Sequence, residues 1–145
     1  MNIWIDYQGE SAMRYGRLGF LVLALAAPVW AHHSFSSEYD SNKPVNVKGA
    51  VTKIEWLNPH VYFYIDVRDE QTGQVVNWAF EMGAPAVIQR NGWTRNTMKI
   101  GDMVIVTGSL AKSGKPHGNA RTVTLAGTGQ RLGAGSSEGQ TPEQQ

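Results

Sequence analysis

Four histidines are the residues best placed to do chemistry. PVWAHHSF (28–35) sets His32 beside His33, His60 follows Asn58-Pro59, and His117 stands among glycines in SGKPHGN. A chain beginning at His32 would hold an α-amine and an imidazole Nδ1 on one residue, a ready chelate ring. The amine titrates near ~7.7 to 8 and imidazole near ~6.5, so both offer lone pairs around neutrality at little proton cost. Copper(II) favours such nitrogen donors most strongly among the common divalent ions and takes them in a tetragonal plane. His33 and His60 complete a candidate metal set. The eleven residues of 34–44 could extend about 36 Å at ~3.3 Å each, so a terminal histidine can reach His60 from most positions on a small domain. The competing explanation is plain: His32 and His33 form a hydrophilic stub that lets a peptidase reach its site, and His60 hydrogen-bonds within a turn. His117 is expected to be a solvated loop residue.

A second constellation is aromatic. Tyr62 and Tyr64, two apart in VYFYIDV, share one face of a strand behind Asn58, and such a face can hold a ligand by stacking and hydrogen bonds. The bland alternative is that both tyrosines simply cover the surface. Trp56, Trp78 and Trp93 are expected in the core or at its edge. Cysteine is absent, and Glu55, Asp66 and Glu81 stand singly at no recognisable catalytic spacing, as carboxylates on a solvated face do. No catalytic residue is assigned.

Residues 1–31 read as an upstream extension and a cleavable export leader. Arg14 and Arg17 precede LGFLVLALAA (18–27), a run of ten residues that reaches only about 15 Å as a helix, half of a bilayer core of roughly 30 Å. Pro28 ends it, and the small side chains of Val29 and Ala31 place cleavage before His32. Translation is expected to start at Met13. The 114 residues after the cut suit one domain. They hold 11 of the 13 Lys+Arg and 10 of the 12 Asp+Glu, for a net charge of +1. That balance excludes an electrostatic footprint for nucleic acid or an anionic membrane surface. A disulfide-free exported domain suits a bacterial periplasm.

Strand periodicity dominates the remainder. After an N-terminal arm (32–44), VNVKGAV alternates with period two, slips near Gly49 and continues through Ile54 and Trp56, as one long strand with a bulge would. Residues 61–67 and 75–82 alternate in turn and complete a meander. Residues 83–93 break the alternation and read as one short helix, with Pro85 near its start and Asn91-Gly92 at its stop. A turn at 99–102 leads into a strand at 103–110, and a polar loop (111–119) leads into a last strand at 121–125. Three strands, a helix and two strands predict a mainly β fold, a five-stranded OB-like Greek-key barrel over 45–127. An immunoglobulin-like sandwich would need about seven strands. The tail (128–145), rich in Gly, Ser and Gln, is expected to be disordered.

HHSF behind a leader, KPVNVKGAVTKIEWLNPHVYFYIDV with its NPH motif, VVNWAFEMGAPAVIQRNGW with its NGW motif and KIGDMVIVTGSLAKSGK together resemble a family of small exported bacterial domains of unknown function. The resemblance implies a periplasmic or secreted location and assigns no activity. Three functions stand: a periplasmic copper(II)-binding protein, a metal-free OB-type module that binds a sugar or a periplasmic protein, and a small copper redox enzyme. N-terminal sequencing of the exported protein should begin at His32, and recovery of 18–27 in a membrane fraction would refute the leader.

Overall fold

A computed structural model describes residues 35–138. A four-residue helix, α1 (Phe35–Glu38), leads directly into β1 (Tyr39–Trp56), followed by β2 (Val61–Arg68), β3 (Val75–Glu81), α2 (Pro85–Arg90), β4 (Met103–Ala111), β5 (His117–Leu125) and β6 (Arg131–Gly133). The antiparallel pairs β1–β2, β2–β3, β1–β4 and β4–β5 are joined by a short parallel pairing of β3 with β5, so five strands form a closed ring. β6 extends β5 beyond the point where β3 leaves it.

The ring closes because β1 bends. Eighteen residues of straight strand would span about 60 Å, roughly twice the width of a domain this size. Instead β1 pairs with β4 over its first part and with β2 over its last, with register shifts between Asp40 and Pro44 and between Val51 and Lys53. The slip anticipated beside Gly49 is thus displaced by a few residues. Gly49 serves the close crossing of two strands instead. A Cβ there would sit 2.5 Å from the Asp66 carbonyl oxygen, so only glycine lets β1 pass β2 at this separation.

Alternation along the strands decides what lies inside. Val61, Phe63, Ile65, Phe80, Val104 and Val106 are completely buried, as their period-two spacing predicts, with Phe63 and Phe80 stacked 5.5 Å apart. Trp78 is half-buried and stacks on Phe80 at 5.8 Å. Trp93 is buried, whereas Trp56 is half-buried beneath the Arg95 guanidinium. Ile88 of α2 is fully buried beside Met82 in the same core, and Gly92, at φ 91°, supplies the left-handed residue that ends the helix.

Three expectations are corrected. Residues 39–44 are not a free arm, because they begin β1 and pair with β4. β5 begins at His117 rather than at 121, so His117 and Asn119 are strand residues. The segment 128–138 is ordered: β6 pairs with β5, Ala134 is fully buried, and its backbone bonds Gly83 N–H at 2.8 Å and the Arg121 carbonyl at 2.9 Å. Composition missed this because the order comes from main-chain hydrogen bonds, which side-chain polarity does not report. Residues 139–145 lie outside the described ones.

Phe63→Ala should cost about 3 to 5 kcal/mol in chemical denaturation, against less than about 1 kcal/mol for the outward-facing Tyr64→Ala. Equal losses would mean that the interior and exterior phases of β2 are reversed.

Candidate functional site

The register that puts Phe63 and Phe80 inside puts Tyr62 and Glu81 outside, opposite each other on β2 and β3. The parallel pairing sets Asn119 of β5 against Glu81, and antiparallel pairing sets Ser109 of β4 against Asn119. An outward carboxylate would ordinarily meet water. Here the chain segment leading into β1 covers it: Phe35, Tyr39 and Ala111 form a small second core, with Phe35 and Tyr39 rings 5.5 Å apart. The main chain of α1 is fastened by Lys112, whose N–H donates to the Glu38 carbonyl at 2.8 Å and whose Nζ donates to the Ser36 carbonyl at 2.6 Å. Glu81 is left only 7% exposed, which corrects its assignment to a solvated face.

A buried carboxylate must be surrounded by donors, and Glu81 is. Its Oε2 accepts the Tyr39 hydroxyl at 2.9 Å and the Tyr62 hydroxyl at 2.6 Å. Its Oε1 accepts from Asn119 Nδ2 at 3.5 Å and lies 3.5 Å from His60 Nδ1. Asn119 is held in turn by Ser136, whose hydroxyl donates to Asn119 Oδ1 at 2.6 Å. Burial, and then the Glu81 charge beside them, push the Tyr39 and Tyr62 hydroxyls well above the usual phenol range, so both remain protonated donors.

Both described histidines border this cluster. His60 Nδ1 faces two acceptors, the Met82 carbonyl at 3.2 Å and Glu81 Oε1, so it carries the proton and leaves Nε2 for other partners. His117 Nε2 lies 3.1 Å from the Tyr39 hydroxyl, with the two rings edge to face at 5.4 Å, and its Nδ1 is 3.9 Å from Glu38 Oε1. The His117 side chain is only 26% exposed, so the solvated-loop expectation is corrected. Among the described residues the ion-pair partners of Glu81 and Glu38 are these two histidines, since Arg121 is taken by Glu138.

The anticipated site residues are therefore partly gathered. His60 and Tyr62 meet at Glu81, while Asn58 is exposed in the turn before β2. Tyr64 belongs elsewhere: its hydroxyl donates to Glu55 at 2.8 Å, and Lys53 lies over its ring and pairs with Glu55. His32 and His33 lie outside the described residues. No group of three or more metal-ligating side chains occurs among the described residues, so a metal bound at this end of the ring would need donors from beyond them. Tyr39, Glu81, His117 and Asn119 were not anticipated. One signal was present, because Phe35 and Tyr39 are two large aromatics within the expected N-terminal arm and required something to cover.

All three tyrosines after position 31 carry raised hydroxyl pKa values; for Tyr64 the cause is first its hydrogen bond to Glu55. Their neutral form is favoured by folding, so this contribution is complete below pH ~10, the unfolded value, and declines as pH rises above it. The near-ultraviolet phenolate absorbance of Tyr39 and Tyr62 should stay absent past that pH and appear together with loss of the circular-dichroism signal. Ionisation of all three tyrosines near pH ~10 in folded protein that begins at His32 would contradict the buried Tyr39–Glu81–Tyr62 cluster.

A search of curated proteins finds no match to the chain. The family of unknown function DUF6152 matches residues 20–126, which takes in the helix, the ring and every side chain of the Glu81 cluster except Ser136. The protein belongs to the DUF6152 family.

Proposed function

We propose that the protein is an exported copper(II)-binding protein of the periplasm, in which cleavage before His32 creates a terminal amine–imidazole chelate that the Glu81 end of the ring completes. One observation carries this: two imidazoles, His60 and His117, are each tied through one ring nitrogen to the buried carboxylate cluster. Metal-ligating histidines are commonly held in this way, one nitrogen donating to a carbonyl or carboxylate while the other binds. Position also supports it. His32 is three residues before Phe35 in the sequence, and Phe35 packs on Tyr39, the partner of His117. His33 and one cluster imidazole, His60 in the sequence-based expectation, supply further nitrogen, the donor type copper(II) favours. The strand order and the parallel β3–β5 closure support an OB-like barrel as the scaffold.

The metal-free alternative draws on a different surface. A groove of about 770 Å³ is lined by Val47, Val67, Val75 and Met103 together with polar residues that include Lys48 and Arg68, and could take a segment of a partner. It would be indifferent to how the N-terminus is processed.

Copper(II) titration of protein beginning at His32, followed by electron paramagnetic resonance, separates the two. The expected result is one equivalent bound in a nitrogen-rich tetragonal environment, with affinity lost when Ala31 is retained and the amine is locked in a peptide bond. A variant with alanine at both His32 and His33 that binds copper as tightly as the parent would end the copper proposal.

A further inference from the structure

Two unbroken runs of residues line the groove between β1 and β2, 46–50 on one wall and 66–68 on the other. Side chains alternate across a strand, so a groove lying over one face of a sheet meets every second residue. A groove that meets successive residues runs along a strand edge, in the gap between two strands. The register shows how the gap arises. β1 and β2 pair from Trp56↔Val61 to Ala50↔Asp66 and no further, while β1 goes on pairing with β4 as far as Pro44 and β2 with β3 as far as Arg68. Each strand of an antiparallel ladder offers its N–H and C=O groups alternately to its two sides. From Asn46 to Gly49 the side turned away from β4 meets no main-chain partner among the described residues.

The side chains add a charge requirement. Carrying the Ala50↔Asp66 register two residues on sets Lys48 opposite Arg68, both exposed and neither in an ion pair among the described residues. Like charges facing each other across two strands repel, and one carboxylate placed between them relieves both. Of the groove's own carboxylates, Asp66 accepts from Asn77 Nδ2 at 2.7 Å and Glu70 stands in the exposed turn after β2. Two cations and two carboxylates leave the lining neutral, which suits a partner with a single acidic residue better than a polyanion. Val47 and Val67, both half-buried, offer apolar contact to the residues on either side of it.

We infer that this groove takes an extended peptide of a protein partner as an added strand, its main chain paired with β1 over 46–49 and one acidic side chain set between Lys48 and Arg68. Strand addition draws its affinity from main-chain hydrogen bonds and its selectivity from the side chains alongside. It gives the metal-free alternative, on which it rests, a mode of binding, and copper has no part in it. A second copy of the chain is a poorer occupant. Asp66 to Arg68 and Glu70 wall the far side, which leaves room for one strand rather than for the edge of another sheet. Lys43 and Pro44, where the edge begins, are residues that guard strands against such sheet-to-sheet pairing.

The probe is a synthetic heptapeptide, blocked at both ends, of alternating threonine and valine with a central glutamate, titrated into the protein and followed by NMR. On binding, amide hydrogen exchange should slow within 46–49. N-methylation of the peptide nitrogens along one of its two edges, which removes donors and keeps every side chain, should weaken binding about tenfold or more. Glutamine in place of the glutamate should weaken it about 3- to 10-fold in the parent and make no difference when Lys48→Gln and Arg68→Gln are combined. Both substituted residues are exposed, so the thermal unfolding of that variant should match the parent's. If the peptide shifts the signals of Val67, Val75 and Met103 but neither exchange at 46–49 nor N-methylation responds, the strand mode is wrong and the metal-free alternative stands, with a partner held by side chains alone. Slowed exchange at 46–49 on raising the protein concentration without peptide would assign the edge to a second copy and overturn the proposal. A parent that binds no peptide at millimolar concentration overturns it too, and takes the groove away from the metal-free alternative as well.

Discussion

The burial of Glu81 is the constraint that organises one end of this molecule. A carboxylate taken out of water needs donors on every side, and a missing donor costs more than a made bond returns. Those donors come from β1 (Tyr39), β2 (Tyr62 and, just before it, His60) and β5 (Asn119), so the strands must meet at one place and in one register. A slip of one residue in β3 would turn Glu81 into the core and Phe80 out of it. Each charged hydrogen bond contributes about 1.5 to 3 kcal/mol, which makes Tyr39 and Tyr62 structural as well as electrostatic partners.

Ring closure and site formation are the same event. The parallel contact of Ala79, Phe80 and Glu81 with His117, Gly118 and Asn119 is short, yet it both closes the ring and brings the β5 polar residues to the β3 carboxylate. Gly118 is fitted to that contact, since a Cβ there would stand 2.9 Å from the Phe80 ring. Residues 134–138 then support the same spot from below, Ala134 through the Gly83 backbone and Ser136 through Asn119. The cluster is thus built from pieces far apart in sequence, with Tyr39 and His117 separated by 78 positions.

This separation explains what the sequence revealed and what it hid. Val61, Phe63, Ile65, Phe80, Val104 and Val106 were legible because alternation is a local property, and so were α2 and the turn at 99–102. Glu81 was not legible: alternation places it correctly on the outer face, and nothing local says that α1 and Tyr39 fold over that face. His117 was hidden for a related reason. Its neighbours Gly118 and Asn119 have loop chemistry, as does Pro116 just before the strand, and only pairing with β3 and β4 makes 117–119 strand. His60 was singled out, but its commitment through Nδ1 to Met82 and Glu81 could not be read from NPH alone.

A domain selected for stability alone would have little reason to keep this arrangement. Replacing a buried ionic cluster by apolar side chains of similar volume is often neutral or stabilising, and Phe35, Tyr39 and Ala111 already provide an apolar cover that could have been continued. Instead the cover encloses a carboxylate with two tyrosines and an asparagine, and leaves two imidazoles half-buried at its rim with one nitrogen each directed inward. The inner layer is satisfied, because each oxygen of Glu81 meets at least one donor. On the outer side His117 Nδ1 faces Glu38 Oε1 of α1 across 3.9 Å, so α1 both covers the cluster and borders its second imidazole.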